Sequence, residues 1–265
     1  MKFAHFLKTV LIDSIETNKK LLLVSVFLTA ISILLFVLDG IGYGTNPLLA
    51  SSTSTPWGVV TAIFIHANST HIGFNLLFLW IWTIFLVIEH DLLKHSFLTK
   101  AQIGKRLGFM VVFVFGSAIA SNIIWSILLK PGSTTMGSSG VVYALSGACL
   151  VFSLMNIPIV FRAIKRSDLQ DMRKMATAMG ILAINALIFW MIFTMVTADT
   201  KAFFGFGDPQ TNAFAHWTSF LITFFLVTAY DYYLFHWPTL SAAVRAAKYR
   251  RAAKRASVQA WLSRC

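Results

Sequence analysis

Six apolar runs organise the chain. They lie at about Leu21–Leu38, His71–Ile88, Gly108–Leu129, Ser139–Val160, Ala176–Val196 and Phe214–Phe235, separated by polar or small-residue stretches. Each is close to the roughly 20 residues that a helix rising about 1.5 Å per residue needs to cross about 30 Å of hydrocarbon. Only a helix satisfies every backbone polar group within its own segment at that depth, short of a closed barrel. The pattern therefore predicts an all-α membrane protein of six transmembrane helices. The first twenty residues are mixed polar, and no small-residue cleavage site closely follows the first run. That predicts an uncleaved first span rather than a signal peptide. The long connection Gly40–Asn68 has no Asp, Glu, Lys or Arg. It is expected to lie partly in the interface, with Trp57 as an aromatic anchor.

Composition agrees. Of 265 residues, 57% are hydrophobic and 12% charged, and the mean hydropathy is +0.73. Twenty-two Lys and Arg against ten Asp and Glu leave a net charge of +12. In a soluble domain that excess would point to nucleic acid. Here its placement explains it. Twenty of the 22 basic residues fall in the N-tail, the second and fourth connections and the C-tail, leaving Lys130 and Lys201 on the other side. The positive-inside rule then puts both termini in the cytoplasm, with the protein in the cell membrane. The predicted organisation is a cytoplasmic N-tail (residues 1–20), a six-span domain (21–235) and a basic cytoplasmic C-tail (236–265). The tail sequence "RAAKYRRAAKRAS" is expected against anionic lipid headgroups, not nucleic acid. Cys149 and Cys265 offer no disulfide framework. No C-x-x-C or H-E-x-x-H is present, so no metal or cofactor is expected.

Candidate chemistry comes from polar residues gathered at one depth. The second, fourth and sixth runs all enter from the same side. The second opens "HANSTHIGFN", with His66, His71 and Asn75; the fourth opens at "GSSGVVYAL", with Ser138 and Ser139; the sixth opens "FAHWTSF", with His216. Polar side chains at membrane depth are costly and face a bundle interior or a wet cavity. Taken singly, each could be a helix–helix hydrogen bond or an interfacial histidine. Together they offer a nucleophile, a base and donors for an oxyanion. His216 is the only histidine in the last three runs. His71 and Asn75 stand four apart and share one helical face. Small residues at Gly140, Ala144, Gly147 and Ala148 in the fourth run, and at Ala215 and Ser219 in the sixth, predict a close approach of those two helices.

These residues resemble the rhomboid family of intramembrane serine proteases over roughly Leu21–Phe235. "GSSGVVYAL" matches the family's G-x-S-G opening of the fourth span, which implies Ser139 as nucleophile, flanked by Gly137 and Gly140. Tyr143, one turn on, is implied to pack against the catalytic histidine. "FIHANSTHIGFN" resembles the family's second-span motif F-x-H-x(4)-H-x(3)-N. It implies that His71 and Asn75 line the oxyanion hole, with His66 structural. "AHWTS" resembles A-H-x-x-G and implies His216 as the base of a Ser–His dyad without an acidic third member. Three positions depart from the family: Ser219 replaces its glycine, Gly58 follows Trp57 where arginine is usual, and Glu89 stands fourteen residues after Asn75 with Thr83 in a glycine's place.

The resemblance implies a six-helix rhomboid-like bundle acting as a serine endopeptidase. It would cleave single-span membrane proteins near the outer face, with membrane lipids as surroundings. Two other classes compete. One is a catalytically inactive, rhomboid-like protein that binds membrane clients, although inactive relatives usually lack the serine or histidine kept here. The other is a small transporter or channel. It would account for polar groups in the membrane but not for their gathering at one level, and repeat halves are not evident.

Overall fold

A computed structural model describes residues 2–43, 57–96, 98–125, 137–166, 172–203 and 213–235. The expected basic tail (236–265), the far end of the third run near Leu129 and much of the Gly40–Asn68 connection (44–56) lie outside the described residues, as does Lys130. Every regular element described is helical: α1 (Lys2–Leu38), the short α2 (Gly58–Thr61), α3 (Ser69–Ser96), α4 (Lys100–Ile123), α5 (Ser139–Arg166), α6 (Met172–Phe203) and α7 (Ala213–Phe235). Six of them are long and apolar enough to cross a membrane. Residues Met1–Val227 form one compact unit. Thr228–Cys265 form a second, of which the last turns of α7 are described.

Helix starts and stops follow local chemistry. Thr99 caps α4 in a reciprocal pair with Gln102: the Thr99 side chain accepts from the Gln102 amide, and the Gln102 side chain accepts from the Thr99 amide. This cap starts α4 eight residues before the expected Gly108, so Lys100, Lys105 and Arg106 belong to the helix rather than to a connection. Likewise α1 begins at Lys2 and continues without a break through the expected N-tail. It ends in a π turn closed by Gly42 at φ 94°, a conformation that only glycine adopts cheaply.

Helix α5 is the axis of the first unit. It packs against α3, α4 and α6, while α1 leans on α3 and α4. Two-thirds of the apolar window of α5 is buried, against 22–39% for the other spans. The outer helices turn Phe74, Leu77, Ile84, Phe109, Val112, Trp190 and Phe193 outward. Such a surface suits hydrocarbon and no aqueous setting. Polar side chains tie the helices together inside. Ser25 on α1 lies 2.8 Å from the Thr83 hydroxyl on α3, whose own proton goes to the Leu79 carbonyl at 2.8 Å, so Ser25 is the donor. Asn185 on α6 donates to the Ser153 carbonyl on α5 at 3.2 Å. Arg106 on α4 donates to Asn156 on α5 at 2.9 Å, and Asn156 donates to Glu89 on α3 at 2.6 Å.

Candidate functional site

The first residue of α5 is Ser139, and the chain reaches it through Gly137 at φ 108°. That backbone angle strains any residue with a side chain. Space makes the same demand. A Cβ on Gly137 would stand 2.6 Å from both Cε1 and Nε2 of His71 and 3.3 Å from Nδ2 of Asn75. Gly137 thus lets the backbone pass directly beside two side chains of α3. The short α2 segment fixes this passage. The Gly137 amide donates to the Ala62 carbonyl at 2.7 Å, and Asn122 of α4 braces the same segment by donating to the Val59 carbonyl at 3.1 Å.

The two α3 side chains present donors there. The Ala67 amide donates to Nδ1 of His71 at 3.4 Å. A neutral imidazole accepting at Nδ1 carries its proton on Nε2, the atom facing Gly137. Asn75 is buried, and its Nδ2 finds no partner among the described residues. A buried amide donor left unmade costs stability, about 1–3 kcal/mol. Here it is directed at the head of α5. The amides of Ser139, Gly140 and Val141 add first-turn donors that no intrahelical carbonyl can accept. The first bond of this turn runs from the Val142 amide to the Ser138 carbonyl at 3.0 Å.

The two serines face different partners. Ser138 is buried, with its hydroxyl 3.2 Å from Nε2 of His66 and its amide donating to the same nitrogen at 3.4 Å. His66 is wholly buried and meets the His71 ring edge-on at 5.2 Å. Its pKa is lowered to about 4, first by burial and then by His71. Ser139 is half-buried. Its face of α5 continues one turn on to Tyr143, where the ring stacks on His216 of α7, centroids 4.2 Å apart and planes 11° from parallel. The stack sets His216 on the same side of α5 as Ser139.

Close approach of α5 and α7 makes this possible. A Cβ on Gly147 would stand 2.7 Å from the Phe220 carbonyl oxygen, so the two backbones nearly touch there. At Gly140 a Cβ would meet the Ser219 hydroxyl at 3.3 Å. Ser219 has its own use: it donates to Ser121 of α4 at 2.7 Å, and Ser121 donates to the Ala118 carbonyl at 2.9 Å. The serine in a glycine's place therefore adds a link to α4 while keeping the contact close. The Thr83 departure is likewise filled, by Ser25. Gly58 is buried and the adjacent Trp57 is exposed, and the segment they open is tied to α4 through Asn122 and the Val59 carbonyl.

A protein-family comparison matches residues 53–232 to the Rhomboid domain, well over half of the chain. The chain belongs to the rhomboid family. It is accordingly a multi-pass integral membrane protein, and its six apolar helices form a rhomboid-like bundle. A comparison with curated proteins finds no match.

Several residues that shape this rhomboid site escape a motif-based reading. Asn122, Ser121 and the pairing of Ser138 with His66 matter through contacts between helices distant in sequence. The available signal was their type: an amide and hydroxyls inside an apolar run, where an unpartnered polar group is costly. Among the described residues no group of three or more His, Cys, Asp or Glu side chains could hold a metal.

Proposed function

We propose that this rhomboid protein is an intramembrane serine endopeptidase, with Ser139 as nucleophile, His216 as base and the His71 and Asn75 side chains as oxyanion donors. One observation carries the reading: two N–H donors of α3 converge on Gly137, next to a half-buried serine whose helical face leads to His216. Ser139 Oγ attacks the scissile carbonyl carbon as its proton passes to His216. The carbonyl oxygen becomes an oxyanion held by the α3 donors and the first-turn amides of α5. Collapse of this intermediate breaks the C–N bond, and His216 returns the proton to the leaving amine. Water then hydrolyses the acyl-serine by the same route, so no cofactor or metal is required. Substrates are single-span membrane proteins, cut near the outer face of the cell membrane, with both termini of the enzyme cytoplasmic. The catalytic domain is assigned to residues 21–235, between the N-tail and the basic C-tail.

A second pair needs weighing, because Ser138 and His66 are themselves 3.2 Å apart. Both are sealed from solvent. A histidine whose pKa is lowered to about 4 is a poor base at neutral pH, where a value near 7 serves best. That pair is assigned to anchoring the α3 entry loop to α5. The deciding experiment compares Ser139→Ala, His216→Ala and Ser138→Ala in cleavage of single-span test substrates and in fluorophosphonate labelling. The first two should abolish both signals and the third should retain much of each. Labelling that vanishes only in Ser138→Ala would move the nucleophile to Ser138. No labelling or cleavage in the unaltered protein would favour the client-binding reading instead.

A further inference from the structure

At the end of the bundle opposite Ser139, a cleft of about 320 Å³ opens between α1 and α4. Lys19 and Lys20 of α1 and Lys100, the first residue of α4, line it, with Glu16 as the one acidic group there among the described residues. All three lysines are exposed. Lys20 reaches across to α4, its Nζ 3.6 Å from where a Cβ on Gly108 would stand. One turn earlier, Gly104 forms part of the wall, and a Cβ there would meet nothing within 4 Å. The glycine therefore leaves room that the surrounding side chains do not fill. The N-terminal end of α4 adds the positive end of its helix dipole.

Toward the membrane the two helices close on an apolar void of about 10 Å³ that α3 and α5 also line through Leu79, Val141 and Leu145, so no chain enters between them. On the outside of the same helices Leu23, Phe27, Phe109 and Val112 are exposed. A basic cleft at the end of two helices whose outer faces are apolar matches an amphiphile, with a phosphate in the cleft and an acyl chain along the outside of the helices. A free phosphate would use the cleft and make nothing of the apolar surface next to it.

We propose that this cleft binds the phosphate headgroup of an anionic glycerophospholipid, with one acyl chain lying along the exposed apolar faces of α1 and α4. Basic pockets between transmembrane helices on the positively charged side of a bundle suit such headgroups. The site is remote from Ser139 and does not depend on the catalytic reading.

The test counts lipids retained by the full-length protein after reconstitution in equal parts phosphatidylcholine and phosphatidylglycerol and a delipidating detergent wash, read by native mass spectrometry. The unaltered protein should keep one phosphatidylglycerol in preference to phosphatidylcholine. A triple Lys19→Gln, Lys20→Gln, Lys100→Gln variant should weaken that retention by about a hundredfold, from the contribution of each basic side chain near an anionic surface. Gly104→Leu fills the wall without changing charge and should weaken it too. Thermal melts in the same detergent check that both variants are folded. Replacing Lys248, Arg250 and Arg251 of the C-tail by Gln should leave the bound lipid in place. Equal retention of the two lipids, or an unchanged count in both cleft variants, would overturn the proposal. So would loss of the lipid in the C-tail variant alone. Millimolar inorganic phosphate should not displace the lipid; displacement would assign the lysines to a soluble anion.

Discussion

The two ends of the bundle both bury polar side chains, but they dispose of them differently. At the lysine end, Arg106, Asn156 and Glu89 form a closed chain across α4, α5 and α3, with the guanidinium also 4.5 Å over the Phe152 ring. All three side chains are sealed from solvent, with no more than 1% of any of them exposed. Even His90, whose ring nitrogens meet no partner among the described residues, is fully buried and edge-on to Phe152. At the serine end, the amide of Asn75 and the Nε2 proton of His71 point at a backbone cleared by Gly137. An unmade donor without an opening costs stability and offers nothing to a ligand. At the serine end Ser139, His71 and His216 are only half-buried, so a ligand can reach them and a donor there can bond to charge as it develops. Access distinguishes a site from a structural network.

This contrast predicts that damage at the serine end lowers rate with little effect on stability, and that damage at the lysine end does the reverse. The largest expected effect is at Ser139. Ser139→Ala or His216→Ala should lower kcat by on the order of 10⁶, and the double variant should be no worse, because nucleophile and base act as a unit. Melting temperatures should barely move. Next is Arg106→Ala, which removes one member of a buried charged network and should cost about 3–5 kcal/mol in detergent-unfolding experiments. Protein that still folds should cleave at a near-normal rate per folded molecule. Full stability in Arg106→Ala would erase the contrast from the lysine side.

Third is Asn75→Ala, expected to lower turnover by roughly 10²–10³ while leaving unfolding nearly unchanged. An intact rate would remove Asn75 from the donor set.

His66 sharpens the comparison, since it sits at the serine end yet serves structure. Its folded pKa, about 4, is below the ordinary 6.5. The unfolded chain therefore takes up a proton first as the medium is acidified. The stability that His66 contributes is complete above about pH 6.5 and falls as the pH drops toward 4. The loss approaches about 3 kcal/mol at full linkage. Melting curves between pH 7 and pH 4 should show this slope in the native protein and lose most of it in His66→Asn.

The smallest effect is expected at Ser219. Ser219→Gly restores the residue usual in the family but removes the donor to Ser121. It should cost about 1 kcal/mol of stability, with cleavage changed by no more than a few-fold. A gain in stability would mean that the α4–α7 link is worth less than the tighter glycine contact.

The lengths and spacing of the apolar runs determined six helices, because a bilayer leaves the backbone no alternative at that depth. Local motifs determined which residues were candidates: G-x-S-G at Gly137–Gly140, the His71–Asn75 pair one turn apart, and Ala215–His216. Helix ends were less legible. The Thr99–Gln102 cap lies in a polar stretch, and a hydropathy pattern has no reason to begin a helix there. Tertiary structure alone decided which polar groups are used up and which remain available. Ser139 shares a helical face with Tyr143 by spacing alone, but only the packing of α3 and α7 around α5 gives the adjacent Ser138 to His66 and brings His216 onto the Tyr143 ring. Ser121 and Ser219 are 98 residues apart and meet only because α4 and α7 both pack beside α5. The physical reason is range. Apolar periodicity and helix capping act within a few residues, whereas a hydrogen bond between helices depends on how whole helices are packed.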